Sequence, residues 1–150
     1  MPPIDSSRSA ADVHELTLSD ERYPDRLRNL SDPPPLLYVR GDVELLARER
    51  LVAVIGTREP TVFGISAAQE LTGVLADGGW GIVSGLARGI DTIAHRTALE
   101  HGTPTIAVMG GGLDRIGAGR CTPCASRPRR DVQCSVRFRI ERTARARDCE

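Results

Sequence analysis

Apolar residues follow two rhythms along this chain. Leu51 to Gly56 (LVAVIG) is a continuous apolar run, β-branched at Val52, Val54 and Ile55. Such a run reads as a strand covered on both faces. Trp80 to Gly85 (WGIVSG) and Pro104 to Gly110 (PTIAVMG) repeat the pattern. Between them the period changes to three and four. Gly64, Ala67, Ala68, Leu71, Val74 and Leu75 make one helical face, started by a Thr61 cap and stopped at Gly78-Gly79. Asp91 to His101 is a second helix, with Ile93, Ala94, Thr97 and Ala98 as its inward face and Gly102 as its stop. Strand, helix, strand, helix, strand predicts an α/β fold, a Rossmann-like βαβαβ parallel-sheet unit.

The pattern upstream is weaker. Residues 1–20 are polar and expected to be loose. Tyr23-Pro24 starts a helical turn with Leu27 and Leu30 on one side, and Pro33 to Pro35 force an extended approach. Leu36 to Val39 is a short strand, and Glu44 to Arg50 a brief helix. Three regions result: 1–45 as extension and lead-in, 46–116 as a partial Rossmann-like core, and 117–150 as a tail.

Charge separates the tail from the rest. The chain has 150 residues and no net charge. Up to Ile116 it carries 16 acids and 11 Arg; from Gly117 it carries 4 acids and 9 Arg. It has no lysine, which excludes a P-loop and a Schiff-base mechanism. All four cysteines lie in the tail, at Cys121, Cys124, Cys134 and Cys149. Three readings compete for it: a four-thiolate zinc site, an Arg-rich arm for nucleic acid, or translation in a shifted frame of GC-rich DNA. The cysteine spacing matches no common zinc ribbon, and few apolar residues surround it. The shifted frame is favoured, with residues 117–150 unordered and no metal bound. No membrane-length apolar run and no secretory leader are read, so the cytoplasm is the expected compartment.

The candidate chemistry lies at the strand ends. In a parallel sheet the carboxyl ends share one edge, where ligands bind. Here they carry Gly56-Thr57-Arg58, Ser84-Gly85 and Gly110-Gly111-Gly112, with Arg88 and Gly89 nearby. Glycine lets a ligand approach the backbone, and Arg58 and Arg88 supply guanidinium groups suited to a phosphate. Each glycine alone can equally be a simple chain turn. Asp91 and His95 are one helical turn apart. With no nucleophile nearby, they are assigned to structure: Asp91 accepts N–H groups at a helix start, and His95 packs beside it. Phe63 and Trp80 are assigned to core packing or helix anchoring rather than to base stacking.

At AVIGTREPTVFG, IVSGLARGIDTIAH and TIAVMGGGLDRI the chain resembles the DNA-processing protein A (DprA, or Smf) family. The resemblance covers roughly Tyr23 to Ile116. It implies an extended Rossmann fold that binds single-stranded DNA in natural transformation, dimerises and loads the RecA recombinase. It implies no enzyme activity, cofactor or metal. It places Arg58 on a DNA phosphate, Ser84 to Asp91 around the same pocket, and Gly110 to Gly112 on its far wall. The family's Tyr-Pro, its basic lysine and its stacking aromatic have no counterparts after Ile116. Two other readings remain: a Rossmann-like nucleotide-binding module, and a nucleoside-monophosphate phosphoribohydrolase. Met-Gly-Gly-Gly-Leu-Asp in place of Pro-Gly-Gly-x-Gly-Thr argues against the latter.

Overall fold

The computed structural model describes residues 13–109 and the strand Cys134–Phe138. Ten elements follow in chain order. They are β1 (Val13–Thr17), α1 (Asp25–Arg28), β2 (Leu36–Gly41), a 3-10 turn (Val43–Ala47), β3 (Leu51–Ala53), α2 (Val62–Asp77), β4 (Gly81–Ser84), α3 (Ile90–Glu100), β5 (Thr105–Met109) and β6 (Cys134–Phe138). The strands form one sheet in the order β1-β2-β6-β5-β4-β3. Strands β3 to β6 run parallel, while β1 and β2 are antiparallel to their neighbours. The βαβαβ unit expected from the apolar rhythm is therefore present.

Side-chain alternation divides the strands between two cores. Leu51, Val83, Ile106 and Val108 point to one face. There they meet Leu16, Leu37 and Val39 of the antiparallel pair and Tyr23, Val43 and Leu46 of the lead-in. Val52 and Ile82 point to the other face, against Leu75 of α2 and Ala94 and Ala98 of α3. The continuous apolar runs are what a two-sided sheet requires.

Several elements differ from the sequence expectation. Val13–Thr17, within a stretch expected to be loose, is an edge strand; Leu16 alone within it is buried. Within the lead-in, β2 joins the same sheet, and the Tyr23 hydroxyl donates to the Pro34 carbonyl at 2.7 Å. Five residues of the stretch expected to be unordered form β6, paired in register with β2 and β5. The Ser-Val-Arg-Phe sequence suits a strand, and a slot with backbone partners on both sides offers it a full ladder. Cys121, Cys124 and Cys149 lie outside the described residues, so the zinc and shifted-frame readings are not addressed there.

Helix α2 also turns differently. Leu71 and Val74, assigned inward, are 65% and 67% exposed. The buried residues are Ala68, Thr72, Gly73 and Ala76. At Gly73 an added Cβ would lie 3.2 Å from the His101 ring at the end of α3. The close approach of the two helices selects small residues for the contact and leaves the larger aliphatics outside.

Among the described residues β3 pairs with β4 alone and ends the sheet. Its outer N–H and C=O groups form an open template for another strand. Self-association that rises with concentration is expected in light scattering. Ala53→Lys, at an exposed position of this edge, is expected to reduce it. A wild-type protein that stays monomeric at every concentration would contradict this.

Candidate functional site

The carboxyl ends of β3 and β4 lead into two turns, and the two turns are clamped together. After β3, Val54 N–H still bonds the Val83 carbonyl at 2.9 Å, and the chain then leaves the sheet through Gly56, Thr57 and Arg58. After β4, which ends at Ser84, come Gly85 to Gly89, leading into α3. The Ile90 N–H donates to the Thr57 carbonyl at 3.1 Å. Gly89 sits at φ +83°, and an added Cβ there would lie 2.2 Å from the Thr57 oxygen and 2.8 Å from Arg58 Cα. No side chain fits that gap, so glycine is required for both reasons.

Asp91 holds the second turn from inside. Its Oδ2 accepts from the Gly85 and Ala87 N–H groups, each at 3.2 Å. The carboxylate is buried and lies in the first turn of α3, where the helix dipole favours negative charge. Leu86, between these donors, is buried with φ +60°. A non-glycine residue in the left-handed region costs about 1 kcal/mol or more. The Asp91 bonds and the burial of Leu86 offset that strain. Ser84 is buried as well, and its hydroxyl donates to the Val54 carbonyl at 2.7 Å.

These bonds reassign several sequence-selected residues. The Ser84 hydroxyl and the Gly85 N–H are committed inside the fold rather than offered to a ligand. Gly56 faces Ile90, whose side chain an added Cβ would meet at 2.7 Å. Thr57 Oγ1 accepts from the Glu59 N–H at 3.2 Å, closing the loop on itself. What reaches outward is charge. Arg58 is exposed and, among the described residues, has no hydrogen-bond or ion-pair partner. Arg88 is exposed and lies 3.9 Å from a Glu59 carboxylate oxygen. Glu59, the chain neighbour of Arg58, is thus paired with Arg88. Gly110, Gly111 and Gly112 lie outside the described residues.

His95 is fully buried behind this clamp. The Thr105 hydroxyl donates to the Ile82 carbonyl at 3.1 Å. It therefore accepts from His95 Nδ1–H, 2.6 Å away, which leaves Nε2 as a bare and unpartnered acceptor. Burial pushes the His95 pKa down to about 4, against a small opposing effect of Asp91. A neutral ring sealed from solvent fits packing, not proton transfer to a ligand. A separate cleft of about 370 Å³ opens between α1 and the 3-10 turn, lined by Arg22, Tyr23, Glu44 and Leu46 among others. None of the candidate residues at the strand ends borders it. No cluster of His, Cys, Asp and Glu among the described residues is arranged to hold a metal.

Comparison with known proteins decides the family. The model of the DNA recombination-mediator protein A family matches residues 14–131. The chain belongs to that family. It is 34% identical over 116 residues to the DNA processing protein DprA of Bacillus subtilis, covering 77% of this chain and 39% of that one. It is 42% identical over 98 residues to the DprA of Streptococcus pneumoniae, covering 65% and 34%. It is 39% identical over 103 residues to the protein Smf of Escherichia coli, covering 69% and 27%. The chain thus spans well under half the length of these relatives. The X-ray structure of S. pneumoniae DprA superposes with a TM-score of 0.74 at 31% identity, covering 85% of this chain and 44% of that one. DprA of Helicobacter pylori superposes with a TM-score of 0.66 at 33% identity, covering 82% and 54%. That protein has a single-stranded DNA binding mode described as unique.

The buried histidine makes stability depend on pH. Unfolded, His95 takes a proton near its ordinary 6.5; folded, only near 4. Its contribution is complete above about 6.5, falls as the pH drops through that window, and levels off below about 4. The loss by pH 4 is expected to reach about 3 kcal/mol. Urea melts at pH 7.5 and 4.5 on wild type and His95→Leu measure it, the variant showing the smaller drop. Equal drops would contradict the assignment.

Proposed function

We propose that the chain binds single-stranded DNA by its sugar-phosphate backbone at the Gly56–Arg58 and Ser84–Asp91 turns. The observation that carries this reading is the placement of Arg58 and Arg88 on two interlocked turns at the carboxyl edge of the parallel strands. The clamp holds the backbone that carries them. Ordering entropy is then spent in folding rather than in binding. Guanidinium groups fit phosphate oxygens in a forked geometry and read no base sequence. The superposed H. pylori protein, with its single-stranded DNA binding mode, supports the same reading.

The mode of action is holding rather than chemistry. Asp91 and His95, beside the crevice, are buried and occupied with structural bonds. Family membership extends the proposal to DNA uptake in natural transformation, with delivery of the strand to the RecA recombinase. Homodimerisation belongs to the same proposal, as does action in the cytoplasm. Among the described residues no helix is long and apolar enough to cross a membrane.

Anisotropy titration of a labelled oligo-dT tests the site. Affinity is expected to fall as salt rises. Arg58→Ala is expected to cost roughly 1.5–3 kcal/mol, the value of a charge-assisted contact. Arg145→Ala, in the Arg-rich tail, is expected to cost less. Unchanged oligo-dT affinity in Arg58→Ala would remove the site.

A further inference from the structure

Three large apolar side chains bracket the G-T-R turn and face water. Ile55, immediately before it, is 76% exposed; Val62 and Phe63, four and five residues after Arg58, are each 81% exposed. Single exposed aliphatics are common, but an aromatic this open beside two exposed aliphatics calls for a partner. Phe63 does not pack into the core, which removes one of the two roles its sequence suggested.

Its position is fixed. Thr61 Oγ1 accepts from the Gly64 N–H at 3.1 Å and caps α2, so Phe63 sits in a closed first turn five residues after Arg58. The loop between them is tied at Thr57 to Glu59 N–H and to α3. Described charges on these two turns are Arg58, Arg88 and Glu59, beside the buried Asp91. Exposed cationic groups with an exposed aromatic five residues along the chain from one of them are complementary to one ligand chemistry in particular: a chain of phosphates with unpaired, stackable rings. A duplex presents the phosphates but hides the ring faces.

We propose that Phe63 stacks on a nucleobase of the strand whose phosphate Arg58 holds, and so makes the site selective for single strands. This deepens the phosphate-binding reading above and rests on it. A phenyl ring offers a flat, low-entropy surface that every base can use, so the contact is tolerant of sequence. Leu71 and Val74 carry the apolar stripe of α2 further from the turn. A protein docked along that stripe is the competing occupant of Phe63.

The test uses the full chain and three labelled probes of equal length: oligo-dT, an abasic oligonucleotide, and duplex DNA. Wild type is expected to bind oligo-dT more tightly than either other probe. Phe63→Ala is expected to lose roughly ten-fold on oligo-dT, the scale of one lost base stack, and nothing on the abasic strand. Phe63→Trp is expected to keep oligo-dT affinity. Arg58→Ala is expected to weaken oligo-dT and the abasic strand alike. If Arg58→Ala weakens binding while Phe63→Ala does not, the stacking role is overturned and the phosphate site stands. If neither variant weakens binding, both fall. If Phe63→Ala changes the sedimentation of the protein but not its oligo-dT affinity, Phe63 belongs to a protein interface and the proposal is overturned.

Discussion

Everything at the candidate site depends on a gap that only a hydrogen atom fits. Gly89 approaches the Thr57 carbonyl so closely that a Cβ would lie 2.2 Å from its oxygen. That approach lets the first N–H of α3 reach Thr57. It couples the turn after β3 to the turn after β4, and so couples Arg58 to Arg88. Asp91 reinforces the second turn through two N–H groups, and Ser84 ties it to the end of β3. The motif Ser-Gly-Leu-Ala-Arg-Gly-Ile-Asp is thus a fastening, and the arginines are what it presents. Stabilisation by a fixed charge array costs less on binding than recruitment of mobile arginines.

Much of this was legible in the residues. The alternation of apolar strands with helical stripes located β3, β4, β5, α2 and α3. The resemblance in the same segments matched the family found by comparison. The role of Asp91 as acceptor for N–H groups at a helix start agrees with its geometry. Other features depended on packing that spacing does not encode. Leu71 and Val74 share a helical face with Phe63, and that face could have turned either way. The near contact of α2 with α3 decided it by admitting only Gly73, Ala68, Thr72 and Ala76. Ser84 and Gly85 resembled ligand donors because their types suit phosphate. Their partners, Val54 and Asp91, are visible only once the strand ends are placed side by side. Strand β6 lay hidden because its pairing comes from β2 and β5, both distant in sequence.

The same fold sorts its polar groups into two sets. Arg58 and Arg88 at the strand ends are presented to solvent, while the buried histidine and carboxylate are withheld from it. The open edge at β3 is a separate consequence of the strand order. That edge and the outward α2 stripe are available to chains of any origin, whereas the arginine turn is specific in its chemistry.

Gly89→Ala tests the clamp most directly. The substitution adds one methyl group, leaves Arg58 and Arg88 in the chain, and removes no charge. Oligo-dT affinity is to be measured alongside far-ultraviolet circular dichroism. The account predicts that helix and strand content is retained and that affinity falls to the level of Arg58→Ala, because the Thr57–Arg58 backbone must move away from α3. Wild-type affinity in Gly89→Ala would contradict it, since Arg58 would then act without the fastening that is held to position it.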